Sequence, residues 1–253
     1  FSEHKLYKTA CERLAQAEAK GVVQQQLILL HEIYHTRIQY AQFNPVQELD
    51  AVIEKFRTNK QRIHHEEQLN LGYALLRKEL NEIQHKGKVV DLQSFITGTM
   101  KQLGVSLDEV LTFKSLYQIL FIANEYATLN SNFSLVAPFV EKSYAFITHK
   151  EELAEGQLYY HIHILYFMAN INFRNHCFAE SEAYLDRMME QLQKQNGHYY
   201  SRFILRYFLL RSLNKNFSGA PGKAMHIAEK ALKEAGKNAD PADVNDLRIC
   251  IAM

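Results

Sequence analysis

Tryptophan is absent from this 253-residue chain, proline occurs four times and glycine ten times. So little punctuation excludes the turn-rich pattern of a sandwich or barrel, and no run of alternating β-branched residues bounded by turn signals is present. Three cysteines, Cys11, Cys177 and Cys250, lie far apart with no Cys-x-x-Cys pair. That argues against a disulfide framework or a zinc knuckle, and the reduced setting it implies makes the cytoplasm the expected location. Charge of one sign is missing too: 29 Lys+Arg against 28 Asp+Glu leave +1, too little for a global field that would collect nucleic acid or an acidic membrane. Long apolar runs are also lacking. The longest, 158–169, is interrupted by Tyr159, Tyr160, His161 and His163 and falls short of the roughly 20 residues that span a bilayer. Neither a glycine-rich phosphate loop nor a Gly-x-Ser-x-Gly elbow occurs, so the common nucleotide and hydrolase readings have no residues to rest on.

What remains is a chain 47% apolar and rich in Leu, Glu, Lys, Gln and Ala, for which helix is the default state. The prolines stand where helices begin. Asn44-Pro45 and Asp240-Pro241 each put a capping side chain before a proline at the first helical position, and Pro221 follows a Ser-Gly-Ala turn. Pro138 belongs to a first turn or kinks its helix. Apolar residues recur with a long period: Ala10, Val52, Ile96, Val140, Leu185 and Ala228 are separated by 42, 44, 44, 45 and 43 residues. Leu14, Phe56, Met100, Tyr144, Met189 and Leu232 repeat those gaps one turn later, on the same helix face. Longer helices are expected between them, near 22–42, 62–86, 106–130, 156–174 and 198–216. The pattern describes about five helical hairpins after a lone helix, with another helix starting near Asp240. No hairpin buries its apolar face alone, so neighbours are expected to stack into an α-α superhelix.

The clearest stretch runs Ala169-Asn-Ile-Asn-Phe-Arg-Asn-His-Cys-Phe178-Ala-Glu-Ser181-Glu-Ala-Tyr-Leu185-Asp-Arg-Met188. Ser212, Ala224, Ala228 and Ala231 stand 43 residues after Ala169, Ser181, Leu185 and Met188. In its small and aromatic anchors this segment resembles the tetratricopeptide-repeat family. The period of about 44 exceeds that family's ~34, and its first-helix Trp and closing Pro are missing. The resemblance is to the architecture over 106–253. It implies an all-α solenoid, one tetratricopeptide-like domain over 1–253, and a role in protein or peptide binding without enzymatic activity or cofactor. Because the chain opens on Phe1 and stops at Met253 within a helical pattern, it is read as a segment of a longer polypeptide.

The resemblance also implies that the first helix of each hairpin lines a concave groove. The matching positions are Gln118, Phe121 and Glu125; then His163, Tyr166, Asn170 and Arg174; then Arg206, Leu209 and Asn216. Asn can hold a peptide backbone through its donor and acceptor, Arg offers a fork for a carboxylate, and rings give rigid apolar contact. A scaffold and the peptide-sensing domain of a transcriptional regulator both fit such a groove.

One motif points to different chemistry. His31-Glu32-Ile33-Tyr34-His35 spells H-E-x-x-H, whose histidines share a helix face and in metallopeptidases bind zinc while the Glu activates water. A third ligand is required, and Glu48 and Glu54 are the nearest downstream glutamates. The competing account puts His31 and His35 at the edge of an apolar face made by Leu27, Leu30, Tyr34, Ile38 and Ala41. The basic-aromatic strip 199–211 is expected to pack its rings inward while its arginines pair with Glu, so no nucleic-acid partner is expected.

Overall fold

The computed structural model describes residues 2–43, 46–86, 91–102, 112–150, 155–235 and 239–252. Among them all regular structure is helical, with no strand. The helices are α1 (Ser2–Val23), α2 (Leu27–Gln39), α3 (Val46–Lys86), α4 (Leu92–Gln102), α5 (Phe113–Leu129), α6 (Ala137–His149), α7 (Leu158–Arg174), α8 (Phe178–Gln193), α9 (Tyr200–Phe217), α10 (Pro221–Glu234) and α11 (Pro241–Ala252). None is long and apolar enough to cross a membrane among the described residues. The chain divides into two compact units: 1–115 with 150–157, and 116–149 with 158–253.

Helix starts follow the sequence where proline marks them. Pro221 and Pro241 open α10 and α11, and Asp240 Oδ1 accepts from the amide of Ala242 at 2.9 Å. Pro138 lies in the first turn of α6. Asn44-Pro45 lies outside the described residues. One expected boundary is missing: the helix carrying Val52 and Phe56 continues through 62–86 as the single 41-residue α3. Nothing between Phe56 and His64 (Arg-Thr-Asn-Lys-Gln-Arg-Ile) breaks a helix, so local propensity prevails over the 44-residue period there.

In the first unit, Leu30, Ile33, Tyr34 and Val52 are buried together, with Leu14, Ala17, Ile38 and Phe56 packed against them. Full burial of such side chains contributes about 1.5–3 kcal/mol each. Glu18 of α1 ties the other two helices: its carboxylate accepts from Arg37 of α2 and Lys55 of α3, both at 2.6 Å. Asn59 Nδ2 donates to the carbonyl of Leu27 at 2.8 Å, within the core. The short turn Glu155–Gln157 lies against the α1–α2 connection, where Gln157 Nε2 donates to Gln24 O at 2.9 Å. A Cβ on Gly156 would stand 2.5 Å from the Val23 carbonyl oxygen, so only glycine fits.

The second unit holds the segment from which the tetratricopeptide resemblance is read. Helices α5, α7 and α9 run side by side, with ring contacts from Phe121 to Phe167 at 6.2 Å and from His163 to Phe203 at 4.6 Å. Helix α8 packs on α7 and on α9, α10 on α9, and α11 on α9 and α10. Two Tyr/Arg pairs, each 43 residues apart, link neighbouring hairpins. Arg187 of α8 donates to Tyr144 OH of α6 at 3.2 Å, and Arg202 of α9 to Tyr159 OH of α7 at 3.1 Å.

Small residues mark the crossing within each hairpin. Ser181 Oγ of α8 donates to Ala169 O of α7 at 2.8 Å. In the next hairpin the roles are exchanged, and Ser212 Oγ of α9 donates to Ala224 O of α10 at 2.8 Å. The apolar series behaves accordingly: Val52, Ile96, Val140, Leu185 and Ala228 are buried, and only Ala10 is exposed. One turn on, Leu14, Phe56, Met189 and Leu232 are half-buried and Tyr144 is exposed, so that series lies at the core's edge. The side chain of Met100 lies outside the described residues.

Four connections close with one backbone device. At the end of each helix the amide of one residue bonds three residues back and the next amide five back. The pairs are Gln25 to Val22 with Gln26 to Gly21, Ser131 to Thr128 with Asn132 to Ala127, His176 to Phe173 with Cys177 to Asn172, and Gly219 to Asn216 with Ala220 to Lys215. This is the Schellman closure, and it needs a left-handed residue. Gln25, Ser131, His176 and Gly219 supply it, at φ 51°, 49°, 61° and 86°. The last three are 45 and 43 residues apart.

Candidate functional site

The H-E-x-x-H segment sits on α2, where Leu27, Leu30, Ile33 and Tyr34 turn into the core. His31 and His35 lie at its margin as the shared face requires. Their rings are nearly parallel with centroids 6.4 Å apart, and Phe56 of α3 packs on both, at 4.7 and 6.2 Å. The side chain that packs on the pair is thus a phenyl ring, which offers no ligand atom. Glu54 is engaged by Arg57 at 3.0 Å, and the side chain of Glu48 lies outside the described residues. Among the described residues no group of three or more His, Cys, Asp or Glu is placed to hold a metal ion.

The groove residues all fall in the second unit, on α5, α7 and α9. Asn170 and Asn124 face each other across α5 and α7, with Nδ2 of Asn170 donating to Oδ1 of Asn124 at 2.8 Å. Each amide spends one of its four hydrogen-bonding sites on the other, so the Asn170 carbonyl and the Asn124 NH2 lie outside that bond. Asn124 has no place in the expected groove; a lone amide in the apolar run Phe-Ile-Ala-Asn is its only signal in the sequence. Tyr166 lies half-buried one turn before Asn170, and Arg174 is exposed one turn after. Phe121 is half-buried on α5, in contact with Tyr117 and Phe167. Gln118, Leu209 and Asn216 are half-buried, and Glu125 is exposed.

Two expected contacts take other roles. His163 is buried, its ring enclosed by Tyr117 at 4.9 Å, Tyr159 at 4.7 Å, Phe203 at 4.6 Å and Phe167 at 6.2 Å. It is part of the seam where α5, α7 and α9 meet rather than an accessible contact. Burial pushes its pKa down to about 4, with the Arg206 and Arg202 guanidiniums acting in the same direction. Arg206 is paired with Asp243 of α11, Nε to Oδ2 at 3.5 Å. Burial nonetheless raises the pKa of Asp243, because desolvation outweighs the attraction of Arg206. Burial likewise raises the Tyr166 phenol, against the pull of Arg206.

The other arginines of the 199–211 strip are engaged as well. Arg202 lies over the Tyr159 ring at 4.8 Å, and Arg211 pairs with Asp186 at 3.1 Å and with Glu182 at 3.6 Å. Arg174 differs: its guanidinium lies over Phe133 at 5.6 Å and Phe173 at 5.8 Å, and no carboxylate among the described residues pairs with it. Comparison of the chain with protein-family models, with the curated proteins and with the solved structures finds no match.

Proposed function

We propose that the second unit is a non-enzymatic helical-repeat module that binds a peptide or an extended segment of a partner protein along the face formed by α5, α7 and α9. The hairpins of that unit are read as a short tetratricopeptide-like solenoid, and this face as its inner surface. The observation that carries the reading is the Asn124–Asn170 pair. Two amides fixed against each other on adjacent helices by one bond keep further donors and acceptors for a ligand. A peptide backbone presents the complement of that pair at every residue, whatever its side chains. Tyr166 and Phe121 flank the pair with rings that lose little entropy on contact.

Selection of peptides from a displayed random dodecapeptide library on the immobilised chain tests this. The selected peptides should bind the chain and lose roughly tenfold or more in affinity to the Asn124→Ala/Asn170→Ala variant, whose helix content should be unchanged. Equal affinity of the two proteins would remove the groove as described.

A further inference from the structure

At the turn end of the second unit lies a cavity of about 440 Å³, lined by Thr128, Ser131, Phe133, Phe173, Arg174, His176 and Phe217. The Phe173 and Phe217 rings meet edge to face at 5.6 Å. With Phe133 they make an apolar wall. Phe217 is half exposed at 52%, and Thr128, Ser131, Arg174 and His176 are exposed, so the cavity opens to solvent. Arg174 lies over two of the rings and faces no carboxylate among the described residues. Stacking uses the face of a guanidinium and leaves its edge, where the N–H donors are, for a planar anion.

We infer that this cavity binds a small monocarboxylate whose apolar body, an aryl or branched alkyl group, packs on Phe133, Phe173 and Phe217 while its carboxylate takes the Arg174 fork. The volume is at the lower end of what ligand pockets show, which suits a small acid. None of the lining side chains carries an amide, the group on which the peptide reading of the Asn124–Asn170 pair rests; the polar side chains are one cation, two hydroxyls and an imidazole. A small acid is thus favoured over a chain end, and the site is separate from the Asn124–Asn170 pair.

The turns add an independent observation. Ser131 and His176 occupy left-handed positions at φ 49° and 61°, where the corresponding position in the following hairpin is Gly219. Glycine would be the less strained choice at both. The chain instead keeps side chains at these two places, and both line the cavity. Backbone strain of this kind clusters at ligand sites, and the chain carries it outside this cavity at Gln25, Gln195 and Asn196 as well.

The test is calorimetric titration of the full chain with 3-phenylpropionate, with its uncharged isostere 3-phenylpropanamide, and with acetyl-Gly-Gly-Phe bearing a free carboxylate. The acid should bind and the amide should bind roughly tenfold or more weakly. Arg174→Gln should abolish that discrimination without moving the melting midpoint of the unliganded chain, and Phe217→Ala should weaken the acid. Three results would each overturn the inference: no binding of the acid at millimolar concentration, equal binding of acid and amide, or discrimination that survives in Arg174→Gln. Binding of the tripeptide alone would overturn it in favour of a peptide terminus.

Discussion

Asn214 of α9 donates from Nδ2 to the hydroxyl of Ser181 on α8 at 2.8 Å, and that hydroxyl in turn donates to the Ala169 carbonyl on α7. Ser181 is 0% exposed and Asn214 1%, so this chain of bonds joins three helices of two successive hairpins with water excluded. A buried polar link of this kind sets register more than it adds stability, because it is costly only when left half made. Ser181→Ala strands the Asn214 amide and should destabilise the second unit by about 2 kcal/mol. Adding Asn214→Leu removes the stranded donor, so the double variant should lose less than the sum of the singles by about 1 kcal/mol. Urea unfolding of the four proteins measures the coupling, and strict additivity would contradict the link.

Acid should loosen the second unit before carboxylate protonation does. Burial pushes His161 and His163 down to about 4, aided by Lys194 and Arg187 at the first and by Arg206 and Arg202 at the second. Both are neutral in the folded state, and an unfolded histidine takes a proton near ~6.5. Their contribution is therefore complete above about pH 6.5 and is lost as the pH falls toward ~4. For His161 the loss is on the order of 3 kcal/mol. Melting midpoints measured from neutral pH down through that window should fall, and fall less in His161→Gln; an unchanged slope in the variant would contradict the assignment.

The glycines separate close approach from mere tolerance. Gly156→Ala places a methyl group against the Val23 carbonyl and should cost about 1–3 kcal/mol. At Gly98, inside α4, an added methyl group would meet nothing within 4 Å, and Gly98→Ala should stabilise by about 0.5–1 kcal/mol. Opposite signs in thermal unfolding are the expected result.

His176→Gly should relieve a left-handed backbone that costs a non-glycine residue roughly 1–2 kcal/mol, offset by glycine's greater entropy loss of about 0.5–1 kcal/mol. A small net stabilisation is expected, accompanied by weaker binding of 3-phenylpropionate. A gain in stability with no change in binding would free His176 of any part in the cavity.

Much of the second unit is legible in the sequence because small and apolar residues mark each helix crossing. Ala169, Ser181, Ser212 and Ala224 stand out by spacing and are joined in pairs by the hydroxyl bonds. The continuity of α3 is hidden by the 44-residue period, which implies a boundary in a segment without a single helix breaker. The turns at Gln25, Ser131 and His176 leave no glycine to read, since each is held by backbone bonds that any residue can make at some cost. Of the groove, the α7 stripe Tyr166, Asn170 and Arg174 keeps a partly open or open aspect. His163 turns inward because one helix between two neighbours is covered on nearly every side, a fact no single-helix periodicity contains. Phe133 and Phe217 lie in or beside turns, and their joining with Phe173 depends on how hairpins stack.

The most direct test is hydrogen exchange of the chain with and without a selected peptide. Protection gained on α5, α7 and α9, strongest around Asn124 and Asn170, is the predicted outcome. Protection confined to α6, α8 and α10, or to the 1–115 unit, would contradict the account.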